Sequence, residues 1–388
     1  MKTLCLIILS AAIPSLAFGL AKPRARDLSI PFDGVPGPLN AISDVEGVKV
    51  GHLTLIEGKG RLVTGQGPIR TGVTAILPRG VRGYDRVFAA THAFNGNGEM
   101  TGSAWIRESG FLEGPIVLTN THSVGTAMEA VVKWSIRNAP GADAVSLPVV
   151  VETWDGGLND INGFHVRAEH VWAALDAATG GPVAEGNVGG GTGMRAFGFK
   201  AGIGTASRIA HTAAGTFIVG VLVQANFARR QHLVIAGIPV GRHITDRMPI
   251  IHKKPARDGS LAAVVATNAP LLPHQLERLA KRVSLGMART GTPSMNSSGD
   301  LFIAFSTFKL EGTGHLPVIS TRFLDTQVLD PLFEATIHAT EEAILNSLVA
   351  AETMSGVNGN TYFSLPHKRV REILAAHDRL EQVQVAAP

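Results

Sequence analysis

Apolar residues along this chain fall in two patterns. VTAILP (73–78), PIVLTN (115–120), SLPVVVET (146–153), GTFIVGVLVQAN (215–226), HLVIAGIPV (232–240), SLAAVVATNA (260–269) and DLFIAFSTFK (300–309) are short unbroken runs bounded by turn-forming residues, which predicts strands. HSVGTAMEAVVKWSIRN (122–138), RAEHVWAALDAAT (167–179), LLPHQLERLAKRV (271–283), DPLFEATIHATEEAILNSLVAAE (330–352) and LPHKRVREILAAHDRL (365–380) space their apolar residues by three and four, which predicts helices. Pro273 stands near the start of the third helix, where its missing N–H is harmless. Strands come in adjacent runs rather than in strict βαβ alternation. That favours sheets packed face to face under helices over a doubly wound parallel sheet. No internal repeat is visible, and the best linker candidate is the polar stretch at 242–259.

Composition fits a mixed α/β enzyme. The 388 residues are 45% hydrophobic and 17% charged, enough to bury the core of one large domain or two ordinary ones. The 44 glycines and 21 prolines are scattered and point to many tight turns. A formal charge of +4 is mild, and its only clusters, HKKPAR (252–257) and HKRVR (367–371), lack the interleaved aromatics of a nucleic-acid platform. They read as solvated surface, so no nucleic-acid partner is expected.

The first 21 residues change the picture. Lys2 precedes an apolar stretch from about Leu4 to Ile13, followed by Pro14 and the small residues Ala17, Gly19 and Ala21, the three parts of a secretory signal peptide. A membrane anchor is the competing reading, but the run falls short of the ~20 residues a span requires. A periplasmic or secreted protein with no span after processing is therefore expected, cut after Gly19 or Ala21. Removal of this segment would take Lys2, leaving +3, and the single cysteine, Cys5. The remaining chain would have no thiol nucleophile.

Several familiar chemical signatures fail on spacing or context. EGNVGGGTGMRAFGFKAGIG (185–204) has neither a P-loop nor a dinucleotide fingerprint, and reads as close backbone turns near a site. Among fourteen histidines there is no H-E-x-x-H; His92 and His122 sit in separate loop-like stretches, and no metal or cofactor is expected. There is no G-x-S-x-G elbow, and STFK (306–309) matches S-x-x-K inside a strand-like run, where chance is the better account. What remains is the junction Asp258-Gly259-Ser260 at the mouth of an apolar run. A hydroxyl nucleophile can find its base in its own α-amine, of pKa ~7.7–8.0, when it is the first residue of a chain. Scission of the Gly259–Ser260 bond would make Ser260 such a residue, and glycine can take up the strained φ that exposes its carbonyl. A plain β-turn before a strand explains the same dipeptide.

Longer stretches carry a resemblance. GSLAAVVATNAPLLPHQLERLAKRVSLGMARTG with NSSGDLFIAFST, ISDVEGVKVGHLTL, FNGNGEMTGSAWIRESGFLEGPIVLTNTHSVG, VVVETWDGGLND, GNVGGGTGM, FKAGIGTASR and VGVLVQAN resemble the DmpA-like family of L-aminopeptidase/D-esterases and β-aminopeptidases, from about Ile42 to about Leu365. The resemblance implies a four-layer αββα sandwich of the α/β (α+β) class, laid out like an N-terminal-nucleophile (Ntn) hydrolase. It also implies self-processing into a large chain (22–259) and a small chain (260–388) that share one domain, no cofactor, and a homo-oligomer of αβ heterodimers. By the same resemblance Ser260 is the nucleophile freed by cleavage after Gly259, and Asn226 supplies an oxyanion-hole amide. Ser298 and Asp300 stand near the nucleophile and its amine, although some relatives carry Glu at the latter place. Glu152 pairs with the substrate ammonium. Trp154 replaces a Tyr found in some relatives and reads as pocket wall. The implied activity is removal of an N-terminal residue from short peptides, amides or esters through an acyl-enzyme. An ornithine-acetyltransferase-like acyl transferase and a periplasmic binding protein are the alternatives; the first usually cuts before Thr and is biosynthetic, and the second has no reason to break its own backbone.

Overall fold

A computed structural model describes residues 22–79, 86–138, 147–252, 259–310, 318 and 320–381. The expected signal peptide and the Lys253–Asp258 part of the candidate linker lie outside these residues. Fourteen strands are described: β1 (Lys49–Glu57), β2 (Ile69–Leu77), β3 (Val87–Gly96), β4 (Phe111–Leu112), β5 (Ile116–Asn120), β6 (Val149–Thr153), β7 (Arg195–Ala196), β8 (Phe199–Lys200), β9 (Ile203–Thr212), β10 (Gly215–Asn226), β11 (Ser260–Thr267), β12 (Gly299–Ser306), β13 (Met354–Ser355) and β14 (Thr361–Tyr362). The helices are α1 (Ser103–Ser109), α2 (Val124–Asn138), α3 (Ala168–Asp176), α4 (Val240–His243), α5 (Pro273–Arg289), α6 (Asp330–Val349) and α7 (His367–Ala375).

Two sheets form the centre, one of four strands ordered β1-β2-β5-β6 and one of six ordered β4-β3-β12-β11-β10-β9. Between them pack Ile76, Ile116, Leu118 and Val151 from the first, and Leu222, Ala262, Val264, Ile303 and Phe305 from the second. The alternate residues point outward. Val73, Val117 and Val150 meet Ala127, Val131 and Leu175 of α2 and α3, while Val221, Ala263, Val265 and Phe302 meet Leu276, Val283, Ile344 and Leu348 of α5 and α6. These four layers are the αββα sandwich expected. Covering on both faces is why β2, β11 and β12 are buried at every position, and why LAAVVA of β11 and LFIAF of β12 read as apolar runs, although β2 buries Arg70, Thr71 and Thr74 as well.

Each sheet contains one parallel pair, β5/β6 and β11/β12, and the chain between the partners carries α2 or α5 on the outer face. α5 begins at Pro273, as expected. One predicted strand is not found. HLVIAGIPV folds back on itself: Ile235 and Ile238 exchange both backbone hydrogen bonds, at 3.0 and 2.9 Å, across Ala236 (φ 49°) and Gly237 (φ 81°). That is a two-residue turn with both central residues left-handed, which leaves no room for an extended run. His92 is also relocated, to β3 opposite Phe302 rather than in a loop.

Candidate active site

Strand register brings the expected residues to one end of the sandwich. β10 runs antiparallel to β11, and its last pair sets Asn226 opposite Ser260. β11 runs parallel to β12 with Leu261 opposite Asp300, so Gly299 lies beside Ser260 and donates its N–H to Ser260 Oγ at 3.1 Å. Gly259 precedes this pair at φ +103°, and a Cβ there would lie 1.8 Å from the Asn226 carbonyl oxygen. Both facts require glycine: the torsion disfavours any side chain, and the neighbouring strand occupies its space.

Asp300 is fully buried behind the junction. Its Oδ1 accepts the Leu261 N–H at 3.0 Å and the Ser298 hydroxyl at 2.7 Å, and its Oδ2 accepts the Ser294 hydroxyl. Burial pushes this carboxyl above its ordinary range, against those three hydrogen bonds. Although shorter than Glu, Asp300 thus reaches both the backbone after Ser260 and Ser298. Ser294 was not foreseen; only its place in a serine-rich stretch before β12 marks it.

Asn226 is held at both ends of its amide. Oδ1 accepts the Arg195 N–H at 3.1 Å, and Nδ2 donates to the Trp154 carbonyl at 2.8 Å. Trp154 follows β6 of the other sheet, and polar links hold the two sheets together here: Gln224 Nε2 donates to Thr119 O at 3.0 Å and to Thr153 Oγ1 at 2.8 Å. The Trp154 ring is half-buried and packs over Gly156, where a Cβ would come within 2.5 Å of it.

Glu152 is buried at the end of β6. Its Oε1 accepts the Glu99 N–H at 3.2 Å, and its Oε2 accepts the Thr121 hydroxyl. Gly98 connects it to the serine side: a Cβ on Gly98 would lie 3.2 Å from Glu152 Oε1 and 3.3 Å from Gly299 Cα. A cavity of about 350 Å³ opens at this loop, lined by His92, Gly98, Glu99, Arg107 and Leu301 among others. Another of about 440 Å³, beside Arg24 and Glu185, contains none of the expected site residues.

Asp155, next to Trp154, escaped the sequence reading. It is fully enclosed, and burial pushes its carboxyl up to about 7, with the Glu152 charge adding to the effect and hydrogen bonds from Thr71 and Asn159 opposing it. Among the described residues no group of three His, Cys, Asp or Glu is arranged to hold a metal ion. The assembly is thus a buried hydroxyl at a strained glycine junction, a neutral amide opposite it, a second hydroxyl tied to a carboxylate behind it, and a separate carboxylate across a glycine loop. Such a set can present a nucleophile, a proton path, an oxyanion donor and an ammonium partner.

Known proteins resemble this chain along most of its length. The sequence profile of peptidase family S58 matches residues 40–362. The chain is 50% identical over 371 residues to beta-peptidyl aminopeptidase BapA of Sphingosinicella microcystinivorans, covering 92% of this chain and 93% of that one. It is 47% identical over 385 residues to BapA of Sphingosinicella xenopeptidilytica, covering 95% and 96%. The solved L-aminopeptidase D-Ala-esterase/amidase of Ochrobactrum anthropi, described as a prototype of the serine aminopeptidases and a new variant among the Ntn hydrolase fold, superposes with a TM-score of 0.86 at 46% identity, covering 92% of this chain and all of that one.

Proposed function

The chain belongs to peptidase family S58 and is an aminopeptidase, and from that premise we propose that it is an exported, self-processing enzyme whose nucleophile is Ser260. Family membership favours this over the transferase and binding-protein alternatives. In the intact chain Ser260 carries an amide nitrogen and has no base of its own. Its Oγ attacks the Gly259 carbonyl, the C–N bond breaks, and the ester formed is hydrolysed by water, leaving a Gly259 carboxylate and a Ser260 amine. The supporting observation is the Asn226–Ser260–Gly299 junction, which holds Gly259 in a left-handed conformation against the Asn226 backbone.

The freed amine then serves as general base, directly or through Ser298, whose hydroxyl Asp300 orients. Ser260 Oγ attacks the carbonyl of the substrate's first residue, and Asn226 Nδ2 with a backbone N–H receives the negative charge on oxygen. The amine leaves with the proton taken from Ser260, and water releases the acyl group. Glu152 pairs with the substrate ammonium, which restricts attack to free N-termini. The relatives named beta-peptidyl aminopeptidases make a short peptide or amide with an N-terminal β-amino residue the substrate of choice. The working particle is a homo-oligomer of αβ heterodimers.

Ser260→Ala, wild type and Ser260→Cys compared on denaturing gels and with alanyl and β-alanyl p-nitroanilides test this reading. Wild type should give pieces of roughly 25 and 14 kDa, in proportion to 238 and 129 of the 388 residues of a 40.8 kDa chain. Ser260→Ala should stay whole and inactive, and full activity in it would refute the assignment.

A further inference from the structure

Lys200 is wholly buried, yet among the described residues it has no carboxylate partner. Its Nζ donates instead to three backbone carbonyls, those of Met194 and Ala201, each at 2.6 Å, and Gly191 at 3.4 Å. A buried lysine with no counter-charge is costly, and none of the steps above uses it. Its position follows from the β7–β8 hairpin: Phe197 (φ 51°) and Gly198 (φ 68°) make a two-residue turn that returns Lys200 opposite Arg195. Nζ thereby sits at the Met194 carbonyl, whose peptide partner is the Arg195 N–H. That N–H donates to Asn226 Oδ1.

One line of polar groups results. The lysine ammonium bonds the Met194 oxygen, and the same peptide's N–H bonds Asn226 Oδ1. On Asn226, the residue paired with Ser260, the line ends at Nδ2, which donates to the Trp154 carbonyl at 2.8 Å. Each amide is polarised by its predecessor, so that positive charge at one end makes the last N–H a stronger donor. We propose that Lys200 is a positioning residue for the hydrolytic reaction, fixing and polarising the Met194–Arg195 peptide so that the Asn226 side chain presents its amide to the developing oxyanion. The proposal rests on the assignment of Asn226 to the oxyanion above. Burial pulls the Lys200 pKa well down. The three carbonyls act against it, because only the ammonium has a hydrogen for each.

The test is a double-mutant cycle on processed enzyme, with kcat and KM expressed per molecule of small chain counted on a gel. Lys200→Met removes charge and donors at nearly constant volume, and Lys200→Gln restores a neutral donor. We expect Lys200→Met to lower kcat about tenfold and leave KM within about twofold, with Lys200→Gln in between. Asn226→Ala should lower kcat by about 10²–10³. In the Asn226→Ala background Lys200→Met should cost nothing further, because the donor it acts through is gone. A merely structural lysine would lower the melting temperature or the processed fraction and leave kcat per processed molecule unchanged; that result, or additive losses in the double variant, overturns the proposal. Should neither Lys200 variant fold, the ¹⁵Nζ resonance of Lys200 in wild type decides: an ammonium at pH 7 supports the proposal and a neutral amine overturns it. Inactive wild type, or active Ser260→Ala, would instead defeat the assignment of the site itself.

Discussion

Gly259→Ala tests the junction quantitatively. The backbone there has φ +103°, which for a residue with a Cβ costs about 1–3 kcal/mol. The added carbon would sit 1.8 Å from the Asn226 carbonyl oxygen, 2.7 Å from its carbonyl carbon and 3.1 Å from Phe227 Cα. These are backbone atoms of a central strand, so no side-chain rotation relieves the overlap. Opening the contact to ordinary van der Waals distance moves residue 259 by roughly 1.5 Å relative to β10. Misplacement of about 1 Å between reacting groups costs about 100-fold in rate. The variant should therefore cleave its 259–260 bond at least about 100-fold more slowly, as read from a denaturing-gel time course after synthesis in a cell-free system. After scission residue 259 is no longer bonded to Ser260. The processed fraction of the variant should accordingly hydrolyse β-alanyl p-nitroanilide within a few-fold of the wild-type rate. Cleavage of Gly259→Ala at the wild-type rate would refute the claim that this close approach prepares the scissile bond.

Glu152→Gln keeps the shape of its side chain and removes the charge. It should raise KM for substrates with a free amine and lower kcat/KM by about 10–100-fold, as expected for a lost charge-assisted bond of about 1.5–3 kcal/mol; unchanged KM would remove Glu152 from ammonium recognition. Asp155→Asn bears on pH dependence. Because burial raises the folded carboxyl from an ordinary 3.8 to about 7, its contribution to stability is complete below pH 3.8 and is lost as pH rises through 7. Asn carries no such proton, so Asp155→Asn should gain on wild type between pH 4 and 8 by up to about 4 kcal/mol. Urea denaturation at four pH values measures this, and parallel pH curves for the two proteins would contradict it.

Legibility in the sequence tracked burial on both faces. β11, β12 and β10 from Val219 onward could be read because sheet and helix enclose them, and enclosed strands are mostly apolar. β1 and β3 carry exposed positions, and β9 mixes Thr, Ser, Arg and His with small residues, so none stood out as a run. HLVIAGIPV misled because its apolar side chains are indeed buried while its backbone turns at Ala236-Gly237. At the site, resemblance located Ser260, Ser298, Asp300, Asn226 and Glu152, and the strand register gathers them. Gly98 and Gly299 could not be read, since their importance lies in close approaches between segments far apart in sequence, such as Gly98 against Glu152 and Gly299; Lys200 could not be read because its partners are backbone carbonyls, which carry no side-chain signature.

The whole mechanism rests on an internal serine becoming a chain terminus and working with its own amine. N-terminal sequencing and intact-mass analysis of purified protein that is turning over an aminoacyl p-nitroanilide test it most directly. A second terminus beginning Ser260-Leu261-Ala262-Ala263 is expected in amounts equal to active sites. Full activity from a chain still joined at Gly259–Ser260 would contradict it.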